Sequence, residues 1–193
     1  MPSTRRRDAT HNRERLIDAA RRSFAALGPD APLEGIAQGA GVSRTTLHRH
    51  FETRQDLAAA VLERNVADIE ARAASLTGTD DGAVTLFHHL LDMQANAPWL
   101  ARVVAADEST GVGALADRTA AAMEPLVERA RMRGIMHPEL GTQDLLLTLP
   151  MALAGQAAGE HSASPHRSDH LRAILHRGLF TTDPPRSRPV AGP

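Results

Sequence analysis

Apolar residues recur through most of this chain at intervals of three and four positions, which is the spacing of one face of an α-helix. Ala, Leu, Arg and Glu, which favour helices, are abundant, and segments that alternate apolar and polar residues are absent. Gly and Pro separate the periodic segments. The pattern predicts an all-α fold of about nine helices. The predicted bounds are 12–26, 33–39, 44–50, 54–75, 82–96, 99–108, 112–133, 142–161 and 167–180.

The two short predicted helices flank a glycine turn, which is the arrangement of a helix-turn-helix. Gly41 tolerates the positive φ that such a turn needs, and Ser43 is a suitable N-cap for the second short helix. Val42 and Leu47 are apolar and can hold that helix against the first. Its exposed face then carries hydroxyls and long hydrogen-bond donors suited to a DNA major groove: Arg44, Thr45, Thr46, His48 and Arg49.

Three segments in this region agree in order and spacing with a known family. They read Ile-Ala-Gln-Gly-Ala-Gly-Val-Ser at 36–43, Thr-Leu-His-Arg-His-Phe at 46–51 and Thr-Arg-Gln-Asp-Leu at 53–57. With the first helix, they resemble the TetR family of regulators. His48 stands where that family commonly has Tyr, and Thr45 where it often has Gly. An operator sequence therefore cannot be carried over from relatives, and His48 could add pH sensitivity.

The resemblance implies which side chains contact double-stranded DNA. Bases or nearby phosphates are the expected contacts of Arg44, Thr45 and Thr46, with Arg49 beside them. The DNA backbone or an adjacent base is the expected contact of His48 and His50. A phosphate at a helix N-terminus is the expected contact of Arg54. Arg5, Arg6 and Arg7 would reach a minor groove as a flexible arm. In the alternative interpretation, Arg49 and this arm are only solvated charge.

Charge is distributed unevenly along the chain. Residues 1–55 contain ten Arg against six Asp or Glu, and residues 56–193 contain twelve Arg against seventeen. A basic N-terminal segment followed by an acidic remainder is typical of a DNA-binding domain joined to an effector domain. We expect a flexible basic arm at 1–10, a helix-turn-helix domain at 11–55, a helical effector-binding and dimerisation domain at 56–182, and a disordered Pro-rich tail at 183–193.

The last two predicted helices carry apolar faces that a second subunit could cover. The resemblance implies a homodimer through these helices, and two-fold symmetry then predicts a pseudo-palindromic operator. The small residues from Ala152 to Gly159 would allow another helix to approach closely. In the alternative interpretation, both faces are buried within one subunit. The predicted interface residues are Leu145, Leu149, Leu153, Leu171, Ile174, Leu175 and Leu179.

The resemblance also implies a pocket for an unidentified small-molecule effector. Binding of this effector would relieve repression. Such pockets are apolar, with few polar groups. His88, Asp107 and Glu108 could add polar contacts. The predicted lining is Phe87, Leu91, Gln94, Trp99, Val103, Met123, Val127, Leu147 and Met151.

Other functional classes find little support in the residues. No enzyme motif is present, so we expect neither an enzyme nor a cofactor. The longest apolar stretch, near residues 145–154, is too short to span a membrane and is interrupted by Pro150. The absence of Cys fits the reducing cytosol, so we expect a cytoplasmic protein. His166 and His170 have a spacing that can chelate zinc, but surface histidines are the favoured interpretation of His161, His166 and His170. The sequence leaves open whether the region 161–176 binds a metal. A helical interaction protein with a vestigial helix-turn-helix remains an alternative.

Overall fold

The computed structural model describes residues 3–96, 110–157 and 165–184, and within these residues it contains eight helices. The all-α prediction is therefore confirmed. The predicted helix 99–108 lies outside the described residues. The helices are α1 (Ser3–Leu27), α2 (Leu33–Gly39), α3 (Arg44–His50), α4 (Arg54–Leu76), α5 (Gly82–Asn96), α6 (Thr110–Met132), α7 (Thr142–Ala157) and α8 (Pro165–Leu179).

Helix α1 begins nine residues before the predicted start at Asn12. Residues 3–10, which the sequence indicated as part of a flexible arm, are helical. The segment between Ser3 and Asn12 contains no Gly or Pro that would end a helix. Extending an existing helix costs far less free energy than nucleating one, so α1 continues toward the N-terminus.

The chain forms two compact units, and the division falls inside α4 between Asp68 and Ile69. The first unit contains α1, α2, α3 and the first part of α4; it also takes in the described start of α6 as far as Ala116. The second unit contains the rest of α4, α5 to Ala95, the remainder of α6, α7 and α8.

The core of the first unit joins its three N-terminal helices to the beginning of α4. Apolar side chains from each helix pack together there, and each of them is almost fully removed from solvent. Gly28 ends α1 with a φ of 80°, a conformation that side chains other than glycine rarely adopt. The main contributors are Leu16, Ala20, Phe24, Ile36, Leu47, Phe51, Leu57 and Val61.

The second unit has its own apolar core, which packs α5 and α6 against α7, α8 and the second part of α4. After α6 and after α8 the chain runs side by side for a few residues. The amide of Thr181 donates to the carbonyl of Ile135 at 2.9 Å, and the amide of His137 donates to the carbonyl of Leu179 at 3.1 Å. Met136 and Phe180 form an antiparallel bridge between these hydrogen bonds, and both side chains are buried.

None of the helices that the structure describes is both long and apolar enough to cross a membrane.

Candidate nucleic-acid interface

Helix α3 is held by one capped end and by two buried side chains. The Ser43 hydroxyl accepts a hydrogen bond from the Thr46 amide at 3.1 Å, which satisfies a donor at the N-terminus of the helix. Leu47 and Phe51 are 1% and 3% exposed, so the inner side of the helix is fixed in the core of the first unit. The outer side therefore faces solvent.

The polar residues predicted on that face differ in their exposure. Arg44, Thr45, His48 and Arg49 are exposed, as the sequence pattern indicated. Thr46 and His50 are half-buried, and the Thr46 hydroxyl lies 2.9 Å from the Ser43 hydroxyl. The exposed set thus presents two guanidinium groups, an imidazole and a hydroxyl. These groups can bind base edges and phosphate oxygens.

The turn before α3 depends on Gly41. Its φ is 63°, and its amide donates to the carbonyl of Gln38 at 2.9 Å. The amide of Val42 then donates to the carbonyl of Ala37 at 3.0 Å. A Cβ atom at position 41 would also collide with the guanidinium of Arg15. The glycine is therefore required by its backbone conformation, whereas the exposed Arg15 side chain could move to make room for a Cβ atom.

Two arginines lie beside acidic or aromatic side chains around α3. Nη1 of Arg44 is 3.8 Å from a carboxylate oxygen of Glu34 in α2, and both side chains are well exposed. Such a pair contributes little to stability because solvent screens it. The guanidinium carbon of Arg13 in α1 lies 5.2 Å from the centre of the Phe51 ring, within the range of a cation–π interaction. Both contacts orient positive charge near the exposed face.

The N-terminus of α4 is already capped by a side chain of its own. The amide and the hydroxyl of Thr53 both donate to Oδ2 of Asp56 at 2.8 Å, and the amide of Asp56 donates to the Thr53 hydroxyl at 3.0 Å. The hydrogen bonds from Thr53 lower the pKa of Asp56. A phosphate that approached this helix end would therefore meet a carboxylate.

Arg54 has a structural role that the sequence did not reveal. Its Nη1 donates to the carbonyl of Pro29 at 3.0 Å and to the carbonyl of Ala31 at 2.5 Å. These bonds tie the loop between α1 and α2 to the start of α4. The predicted phosphate contact of Arg54 stays a prediction, and it would have to use the other guanidinium nitrogens.

The residues predicted to line an effector pocket fall into three groups. Phe87, Leu91, Met123 and Val127 are at most 1% exposed and belong to the core of the second unit. Leu147 and Met151 are instead 63% and 55% exposed, so they do not line an enclosed pocket in this chain. Trp99 and Val103 lie outside the described residues, as do Asp107 and Glu108.

Gln94 is the polar member of that predicted set. It is half-buried, and its Oε1 is buried without a hydrogen-bond partner among the residues that the structure describes. A buried amide oxygen without a partner costs about 1–3 kcal/mol, so it marks a place where a donor would be favourable.

The residues predicted at a dimer interface are also divided. Leu145, Leu175 and Leu179 are buried in the core of the second unit, where a partner subunit cannot reach them. Leu149, Leu153 and Leu171 are half-buried, whereas Ile174 is 51% exposed. The structure therefore places the accessible apolar surface at Ile174, Leu147 and Met151. The helical spacing showed that α7 and α8 bury apolar faces, but not which subunit covers them.

Two histidines are buried as a pair in the second unit, and the sequence pattern predicted His88 only as a polar contact of the effector pocket. Nε2 of His88 in α5 lies 3.0 Å from Nδ1 of His176 in α8. Burial lowers the pKa of His88 to about 4, with the charge of Arg172 as a second cause, and burial also lowers the pKa of His176. Both residues stand within apolar helical stripes, and that was the available signal. His170 is exposed, while the side chains of His161 and His166 are outside the described set.

Among the described residues, no group of three or more metal-ligating side chains comes together.

Residues 16–61 match the family described as bacterial regulatory proteins, tetR family. The uncharacterized HTH-type transcriptional regulator TtgW of Pseudomonas putida is 45% identical over 56 residues, which make up 28% of this chain and 42% of that protein. This chain thus matches less than half the length of that relative. Each match has about the length of a helix-turn-helix domain.

Solved structures extend the likeness to nearly the whole chain at the level of the fold. The TetR transcription regulatory protein from Mycobacterium vanbaalenii matches over 91% of this chain and 99% of its own, with a TM-score of 0.66 and 23% identity. A protein from Saccharomonospora viridis, solved in complex with choline, matches over 88% of this chain and 98% of its own, with a TM-score of 0.60 and 19% identity. At such identities, the likeness establishes the architecture alone.

Proposed function

We propose that this chain is a member of the tetR family of bacterial regulatory proteins, and that it acts as a homodimeric repressor that binds a pseudo-palindromic DNA operator. A small molecule bound in the second unit would release it. This function requires no catalytic step, and the protein would act in the cytoplasm.

The exposed face of α3 is the observation that supports DNA binding. Arg44, Thr45, His48 and Arg49 point to solvent while Leu47 anchors the helix, so the face can enter a groove without unfolding anything. The N-cap at Ser43 makes the helix rigid before it meets DNA. Side chains held in advance lose less entropy on binding, which favours a specific complex.

Exposed apolar residues on α7 and α8 support the homodimer. Leu147 and Met151 are one helical turn apart on α7, and Ile174 is on α8. Large apolar side chains exposed in this way are typical of surfaces that another chain covers. A two-fold dimer would place two copies of α3 on successive half-sites of the operator.

A small-molecule effector is supported by two features of the second unit. Gln94 offers a buried acceptor for which the described part of the chain supplies no partner, and its neighbour Met93 packs against the apolar core. Helix α4 contributes Leu57 and Val61 to the first core and Ile69 and Ala73 to the second. A ligand that shifts the second part of α4 would therefore act on a helix that also carries the DNA-binding unit.

Salt-dependent DNA binding tests the proposal directly. A labelled duplex from the DNA beside the protein's own gene is titrated at several salt concentrations, with fluorescence anisotropy as the readout. We expect log Kd to rise linearly with log salt concentration, because phosphate contacts release counterions. Affinity that is independent of salt would contradict binding led by phosphates.

Matched variants assign that binding to α3. Thr45→Ala with Arg49→Ala removes one hydroxyl and one guanidinium from the exposed face of α3. Arg72→Ala removes a guanidinium of another exposed arginine, in the part of α4 that lies in the second unit. We expect the α3 variant to lose about 2–4 kcal/mol of binding free energy, and the control to bind as the wild type does. Equal losses in the two variants would contradict recognition by α3.

A further inference from the structure

A continuous line of polar contacts crosses the core of the second unit. Asp92 in α5 pairs with Nη1 of Arg172 in α8. Nη2 of Arg172 lies 3.3 Å from Nδ1 of His88, whose Nε2 is 3.0 Å from Nδ1 of His176. Nε2 of His176 lies 2.9 Å from the carbonyl oxygen of Thr182. We call these five residues the polar relay.

Chemistry fixes the position of each hydrogen in the polar relay. The carbonyl of Thr182 can only accept, so Nε2 of His176 carries a proton and its Nδ1 accepts. A guanidinium can only donate, so Nδ1 of His88 accepts from Arg172. Nε2 of His88 must then donate to His176. Every link is satisfied when both imidazoles are neutral, and each ring has a single allowed tautomer.

The polar relay engages one side of α8. Arg172 and His176 are one turn apart, next to the buried Leu175 and Leu179. Ile174 is two residues from each of them, which places it on the opposite side of the helix, where it is 51% exposed. The helix therefore has an inward side that is partly polar and an outward side that carries an isoleucine.

Apolar contacts alone would not specify this rotation strongly. Leu171, Ile174, Leu175 and Leu179 offer α8 more than one apolar side, and aliphatic cores tolerate rearrangement when volume is conserved. Directed hydrogen bonds do not tolerate it, because a rotated helix would leave two imidazoles buried without partners.

We propose that the polar relay sets the rotation of α8 and so decides that Ile174, rather than Leu175, faces a second copy of this chain. The inference rests on the homodimer proposed above. The residues of the relay are positioning residues: they do not touch the partner, and they act through the face that α8 presents.

Paired apolar substitutions separate this role from ordinary core packing. In the variant His88→Leu with His176→Leu, both imidazoles are replaced by side chains of similar size, so that neither ring is left unpaired. Dimer dissociation is measured by analytical ultracentrifugation, and stability by urea unfolding. We expect a folded protein whose dimer Kd rises about tenfold or more. The control His170→Leu changes an exposed histidine of the same helix, and its dimer Kd should match that of the wild type.

The possible outcomes are distinct. A wild type that stays monomeric at every concentration would overturn the homodimer, and this inference with it. A dimeric wild type whose double variant is folded and dimerises with the same Kd would overturn the polar relay alone. If the double variant does not fold, Arg172→Leu and Arg172→Gln decide the matter, because Gln keeps a donor for His88 and Leu does not. A weaker dimer for Leu but not for Gln supports the inference, and equal Kd values overturn it.

Discussion

Gly155 in α7 and Leu171 in α8 approach so closely that a Cβ atom at position 155 would lie 2.7 Å from Cδ2 of Leu171. The small residues of α7 were predicted to allow the approach of another helix, and at Gly155 the helix that approaches belongs to the same chain. Close packing of this kind leaves no room for a methyl group unless Leu171 moves.

The effect of Gly155→Ala on the free energy of unfolding should change sign when Leu171 is replaced by a smaller residue. Gly155→Ala alone should lower the free energy of unfolding by about 1 kcal/mol, because the clash outweighs the gain in helix propensity. In a Leu171→Ala background, the same substitution should raise it by up to about 1 kcal/mol, since only the propensity gain remains. Urea unfolding of the four proteins measures both effects. An equal effect in both backgrounds would rule out steric coupling.

The turn at Gly41 gives a second stability prediction. Gly41→Ala should destabilise the protein by about 1–2 kcal/mol, because its φ of 63° is unfavourable for alanine. Gly35 provides the matched control: it lies within α2, and a Cβ there meets no atom within 4 Å. Gly35→Ala should therefore raise stability by up to about 1 kcal/mol. The melting temperature and the DNA affinity should both fall in Gly41→Ala and both rise in Gly35→Ala.

Acid should destabilise the second unit through its buried histidine pair. The pKa of His88 is lowered from 6.5 to about 4, so between these values the unfolded chain binds a proton that the folded chain does not. Stability is thus complete above about pH 6.5 and falls as the pH decreases toward 4. The groups around the pair are Asp92 and Arg172 at His88, and Arg177 and Asp183 at His176.

Two variants show whether this pH dependence belongs to the pair. In His88→Leu with His176→Leu, the loss of stability between pH 6.5 and pH 4 should be smaller than in the wild type by about 2–3 kcal/mol. In His170→Leu, the curve should keep the shape of the wild type. Free energies of unfolding from urea titrations at closely spaced pH values provide the comparison. Parallel curves for the wild type and the double variant would show that the pair does not titrate in this range.

Arg54 allows its structural and DNA-binding roles to be separated. Arg54→Lys removes the guanidinium that reaches the carbonyls of Pro29 and Ala31, and it keeps the charge. We expect a loss of about 1–2 kcal/mol of stability. Arg54→Ala should destabilise the protein similarly, and it would leave the salt slope of DNA binding nearly unchanged if Arg54 is only structural. A slope smaller by about one unit in Arg54→Ala would instead identify Arg54 as a phosphate contact.

The sequence predicted local structure well where local signals decide it. Helices α2, α3 and α5 have the predicted bounds, because Gly, Pro and a capping serine mark their ends. The predicted start of α1 at Asn12 was wrong, because no Gly or Pro between Ser3 and Asn12 interrupts the helix. Helical spacing shows that a face is buried, but it does not show what covers it. Leu175 and Ile174 are neighbours in sequence, yet one belongs to the core and the other is exposed.

Local sequence patterns could not predict contacts between residues that lie far apart in the sequence. His88 and His176 are 88 positions apart, and the loop carbonyls that Arg54 binds are more than 20 positions away. Such pairs form only once helices have packed, so spacing within one helix cannot reveal them. Of the proposed DNA-contacting surface, the exposed part of α3 followed from sequence, because Leu47 and Gly41 fix its orientation locally.

The pairing of the residues after α8 with the turn after α6 has a consequence for local opening. Thr181 donates to Ile135 through its amide and to Gly134 through its hydroxyl, at 2.9 and 2.6 Å, and His137 donates back to Leu179. The end of α8 therefore cannot fray by itself, since it must also release residues 134–137. In hydrogen exchange, the amides of Thr181 and His137 should become labelled together and at one common rate, as parts of a single cooperative segment.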